Sequence, residues 1–91
     1  MVLLDEPFSA LDARSRALMQ DLAHEVLSGR TVLHVTHDAA EAARLGERVL
    51  VMTSAGLCHA EPPSAPTPRI FDAEDTLAFQ GRLLRQLMEA A

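Results

Sequence analysis

The chain opens on an unbroken apolar run, Met1-Val2-Leu3-Leu4, that stops abruptly against Asp5-Glu6-Pro7. A short run without alternation is what a strand of a parallel sheet, covered on both faces, requires. From Asp12 the spacing turns helical. Leu18, Leu22 and Val26 recur every four residues with Met19 beside them, a stripe expected to face a core, while Arg14, Arg16, Asp21 and Glu25 fall largely on the wet side. Asp12 suits the N-cap, and Ser28-Gly29 the stop, with Gly29 at the left-handed C′ position. Thr31 to Thr36 is a β-branched second strand ending at His37-Asp38. Asp38 with Glu41 three residues on predicts a capping box and a short helix to about Leu45, closed by Gly46. Arg48 to Met52 is a third strand, and Thr53 to Gly56 turns into a weaker fourth, Leu57 to Ala60.

Past residue 60 the pattern lapses. Glu61 to Pro68 holds four of the five prolines and predicts a semi-extended linker. A last helix is expected from near Asp72, with Leu77, Leu83, Leu84, Leu87 and Met88 as its apolar face and Gly81 as a weak point. The chain thus divides into a core at 1–60, a proline-rich linker at 61–71 and a terminal helix at 72–91. Strand, helix, strand, helix, strand predicts an α/β fold, its parallel sheet joined by right-handed crossovers. Such crossovers return the chain to one edge, and the carboxyl ends of parallel strands are where ligands sit. Asp5, Glu6 and His37 should therefore converge.

Composition narrows the picture. With 91 residues the chain is one small domain or a piece of a larger one. Eight basic against 13 acidic residues, net −5, do not favour a nucleic-acid partner. Lysine is absent, so no lysine can bind phosphate or act in catalysis. One cysteine, Cys58, excludes an internal disulfide. No apolar stretch approaches the ~20 residues of a membrane span. His34 and His37, three apart on a strand, face opposite sides and make a poor metal pair. Ser9 has no oxyanion device or orienting partner that would make it a nucleophile.

The segment from Met1 through Asp5-Glu6-Pro7 to Ser9-Ala10-Leu11-Asp12 resembles the Walker B motif and D-loop of ABC-type ATPases, and the spelling Pro7-Phe8-Ser9 is most similar to prokaryotic importers. Val35-Thr36-His37-Asp38 resembles the H-loop of the same family, in the right order and at the right remove. The resemblance implies the C-terminal part of a P-loop NTPase (RecA-like) parallel sheet with flanking helices, incomplete. It implies that Asp5 holds Mg²⁺, through water, for bound ATP. Glu6 would polarise the attacking water, and His37 would contact the γ-phosphate. Ser9, Ala10, Leu11 and Asp12 would lie at the seam between two ATPase subunits. The further partner implied is a transmembrane permease, and the location cytoplasmic, peripheral to the inner face of the cell membrane.

Other family motifs are missing: G-x-x-x-x-G-K-[ST], whose backbone amides and lysine cradle phosphates, the Q-loop, and the Leu-Ser-Gly-Gly-Gln type signature. In the family these lie upstream of position 1, and a strand of the absent part separates the strand at Val32–Val35 from that at Val49–Met52. The third strand is therefore expected to lack its neighbour. The isolated chain is expected to be molten, to associate through open edges or to re-pair its strands. It should not hydrolyse ATP alone. Two readings follow: an ATP-hydrolysing subunit of an ABC import system, present as a fragment, or a non-catalytic remnant that at most associates with a full-length homologue. A repair or translation ATPase is disfavoured by Pro7-Phe8-Ser9.

Overall fold

A computed structural model describes residues 1–89, and contacts divide the chain into two compact units, the first Met1–His37 and the second from Asp38 onward. In the first unit, strand β1 (Val2–Asp5) leads through a tight turn to helix α1 (Ala13–Val26) and strand β2 (Val32–Val35). β1 and β2 pair in parallel, Val2 opposite Val32 and Asp5 opposite Val35. Backbone bonds carry the pairing past both ends, from Val2 N–H to the Thr31 carbonyl at 2.8 Å and from Glu6 N–H to the Val35 carbonyl at 2.9 Å.

Asp12 caps α1 as its position requires: Oδ1 accepts from the Ser15 amide at 2.8 Å, satisfying one of the orphan donors of the first turn. The helix ends at Val26 with Leu27 as C-cap, so left-handed Gly29 (φ 82°) falls one residue beyond the expected C′ position. Its expected apolar face is not covered. Leu18, Met19, Leu22 and Val26 are all exposed, and the buried residue of the helix is Gln20. Periodicity identifies the apolar side of a helix, but burial needs a neighbour on that side.

The second unit opens with helix α2 (Ala39–Leu45), capped by Asp38, whose Oδ1 accepts from the amides of Ala40 and Glu41 at 2.9 and 3.4 Å. Strands β3 (Val49–Thr53) and β4 (Gly56–Ala60) form an antiparallel hairpin, and helix α3 (Glu74–Glu89) packs on α2 and β3. Ala43, Val49, Val51, Ala60, Phe79 and Leu83 make the core, with Ala39, Ala42 and Leu87 against it. Gly46 serves closeness here: a Cβ would come within 2.5 Å of a Val49 methyl and 2.8 Å of the Ala42 carbonyl oxygen.

Three expectations are corrected. β3 does not join the parallel sheet; it pairs with β4, so the described residues hold two two-stranded sheets. The two-residue turn between β3 and β4 makes that antiparallel pairing the closest available to β3. The face that α3 buries is Thr76, Phe79 and Leu83, with Leu87 partly covered, while Leu77, Leu84 and Met88 are exposed. Phe79, only 1% exposed, supplies the anchor that a count of leucines overlooks. Finally, α3 begins at Glu74, two residues past Asp72, and its last expected residues, 90 and 91, lie outside the described part.

The proline-rich stretch has no regular structure but is firmly held. Arg69 is buried, and its guanidinium donates to the carbonyls of Ala43, Gly46, Pro63 and Ala65 at 2.8–3.0 Å. Arg44 and Arg69 also exchange backbone-directed bonds, Arg69 N–H to the Arg44 carbonyl at 2.8 Å and Arg44 Nε to the Arg69 carbonyl at 3.1 Å. Burial pulls the Arg69 guanidinium below its ordinary pKa, opposed by the charges of Asp75 and Glu47.

Candidate functional site

The first unit's parallel pairing fixes where its polar residues emerge. β1 ends at Asp5 and β2 at Val35, side by side, so the residues that follow leave the sheet at one rim. Glu6 is the first of them and is bent into the left-handed region at φ 50°, unusual for a residue with a side chain. Its carbonyl accepts from the Ser9 hydroxyl at 3.2 Å and the Ser9 amide at 3.5 Å, which closes a turn. Glu6 Oε1 reaches across the rim to His37, accepting from the backbone N–H at 2.8 Å and from Nδ1 at 2.5 Å.

That contact defines the chemistry available. A carboxylate on Nδ1 orients the imidazole and places a proton on that nitrogen, leaving Nε2 to accept or to donate. The ring is 86% exposed, so Nε2 is open to a ligand, whereas Glu6 is only 29% exposed. Strained backbone at such a point is characteristic of functional turns, and here it belongs to the residue carrying the carboxylate.

Of the residues expected to converge, Glu6 and His37 meet. Asp5 is the last residue of β1, exposed, directly beside their rim. Ser9, Ala10, Leu11 and Asp12 form the turn into α1, with Ser9, Ala10 and Asp12 exposed and Leu11 half-buried. The Asp12 carboxyl sits below its usual pKa, first because the Ser15 amide and then the Ser15 hydroxyl donate to it, with the Arg14 amide and the Arg16 charge adding to the effect. His34 is half-buried, its ring 5.8 Å from that of buried Phe8.

Among the described residues no three His, Cys, Asp or Glu side chains come together as a metal site. Asp5, exposed at the end of β1, would offer a cation such as Mg²⁺ no more than one carboxylate. The other oxygens would have to come from a nucleotide and water. Sequence reasoning missed Arg16. Assigned to the wet face of α1, it is half-buried and turned back onto the preceding loop, donating from Nε to the Phe8 carbonyl (3.4 Å) and from Nη2 to the Leu11 carbonyl (2.8 Å). An arginine four residues after an N-cap is close enough to reach back, but nothing in the pattern of the chain announces that it does.

Comparison of its sequence with known proteins places the chain in a class. The chain belongs to the ATP-binding proteins of ABC transporters. It is 44% identical over 92 residues to an uncharacterized ABC transporter ATP-binding protein of Haemophilus influenzae, covering 96% of this chain and 38% of that one. More particularly, it is similar to aliphatic sulfonates import ATP-binding proteins SsuB. It is 39% identical to that of Rhodopseudomonas palustris over all of this chain and 33% of the relative. It is 42% identical to one from Nocardia farcinica over 96% of this chain and 36% of the relative. The chain therefore spans a little over a third of the length of the curated relatives it matches. No family model and no solved structure matches it.

Proposed function

We propose that this chain carries the hydrolytic rim of an ABC importer ATPase: Glu6 polarises the attacking water, His37 senses the γ-phosphate, and Asp5 holds Mg²⁺ through water. The observation that carries the reading is the Glu6–His37 contact, made between residues 31 apart in sequence at the carboxyl ends of two parallel strands. A carboxylate so held is oriented before any nucleotide arrives, which is what phosphoryl transfer asks of a protein that mostly positions and neutralises. Ser9, Ala10, Leu11 and Asp12 then form the seam to a second ATPase subunit, and the first partner beyond that dimer is a membrane permease. The fold class on this reading is the RecA-like P-loop type, of which these two units are the C-terminal part, working at the cytoplasmic face of the membrane. Among the described residues no helix is long and apolar enough to cross it.

With no lysine and no glycine-rich phosphate loop, the 91 residues alone bind ATP weakly and do not turn it over. The same absence supports the second reading, a non-catalytic remnant. A hybrid separates the two: the unmatched portion of the Rhodopseudomonas palustris relative joined to this chain in place of the matched third. Magnesium-dependent ATP hydrolysis by the hybrid, and none by the chain alone, supports the importer reading. A folded, ATP-binding hybrid that never hydrolyses would favour the remnant.

A further inference from the structure

The turn from Glu6 to Asp12 has little of its own to hold it. Its internal bonds are short in range and mostly long in distance: Ser9 amide to the Glu6 carbonyl at 3.5 Å, Leu11 amide to the Phe8 carbonyl at 3.2 Å. It nevertheless keeps a non-glycine residue left-handed, a cost that the surroundings must offset. Two contacts tie it to the rest of the unit. Phe8 is buried with its ring against His34, and Arg16 extends from the first turns of α1 to the carbonyls of Phe8 and Leu11.

We infer that Arg16 is the positioning residue of this rim: its forked guanidinium pins the Phe8 and Leu11 carbonyls to α1 and so keeps the Glu6 carboxylate on His37. The two carbonyls lie three residues apart, and a planar fork with donors on separate nitrogens spans them as an ammonium cannot. α1 is a firm base for the clamp, because Asp12 caps its first turn and the Arg16 amide bonds the Asp12 carbonyl at 2.8 Å. The functional meaning of the clamp rests on the hydrolytic reading above. Its geometry does not, and the test reads geometry alone.

The test is amide NMR on the full chain with three variants: Arg16→Met, Arg16→Lys and Arg14→Met, the last removing an exposed arginine from the same helix turn. Arg16→Met is expected to speed hydrogen exchange at the Leu11 amide at least about tenfold, while the Leu27 amide at the far end of α1 keeps its rate. It should also shift the His37 amide proton in the same direction as Glu6→Gln, since both release that N–H from the carboxylate. Arg16→Lys should give a partial change and Arg14→Met none. Wild-type values for Leu11 and His37 in Arg16→Met would overturn the inference, as would equal acceleration at Leu11 and Leu27. Should Arg16→Met fail to fold, Arg16→Lys decides: a spectrum indistinguishable from the parent chain contradicts the clamp. Failure of the ATPase reading would appear separately, as a hybrid that does not hydrolyse ATP while these amide effects persist.

Discussion

Glu6 and Asp12 are the two carboxylates that the first unit uses most specifically, one to hold an imidazole and one to hold a helix end. Both were legible from spacing. An acid directly before a helical pattern predicts a cap, and an acid at the end of one parallel strand predicts proximity to whatever follows the next. The two arginines were not legible, because Arg16 and Arg69 act by reaching backbone carbonyls, and a carbonyl has no letter in the sequence. Asp12 carries a pH consequence. Its folded pKa lies below the unfolded value near 3.8, so its contribution to stability is present above that value and is lost as pH falls through the lower, folded one. Asp12→Asn keeps an acceptor at the cap without the charge. Its α1 helicity, followed by circular dichroism from pH 6 to pH 2 (roughly the range in which carboxylates titrate), should therefore lose the part of the acid-induced decline that the parent chain owes to this residue.

At the scale of elements, the helices and strands were readable and their partners only in part. β1 and β2 pair in parallel as the crossover rule demands, whereas β3 takes β4 because a two-residue turn makes that the nearest edge. α3 is amphipathic as expected, but it is turned so that Phe79 and Leu83 join the core of Ala43, Val49 and Val51. The order of the second unit depends on Arg69. Replacing it with Met removes the donor from four carbonyls while keeping most of the volume, and should lower stability by roughly 3 kcal/mol in chemical denaturation. Thr76 presents the opposite case. Its hydroxyl is buried without a partner among the described residues, so Thr76→Val should raise stability by about 1 kcal/mol. A loss on Thr76→Val, or no change on Arg69→Met, would contradict these assignments.

For the whole molecule, what stands out is how much apolar surface each unit leaves bare. In the first, Leu3, Leu33 and Val35 are exposed on the sheet and Leu18, Leu22 and Val26 on α1; in the second, Leu50, Met52 and Leu57 are exposed on the hairpin. Two-stranded sheets with open edges are marginal in water and pair readily with other chains. The relatives, almost three times as long, have further chain with which to cover such faces. Sedimentation velocity of the isolated chain should therefore show self-association that grows with concentration, and a monomer throughout a wide concentration range would contradict that expectation. The family was legible because it shows in local strings, while the bare faces were not, since a sequence shows which positions are apolar and not which are covered.

On the proposed function, the Glu6–His37 rim is the place where ATP is split. The direct measurement is the turnover number of the hybrid ATPase with and without Glu6→Gln, alongside its affinity for ATP. The expected result is a fall in kcat of at least about a hundredfold with ATP binding retained, because a lost general base leaves the phosphate contacts in place. Hydrolysis at an undiminished rate in the Gln variant would contradict the assignment of this rim.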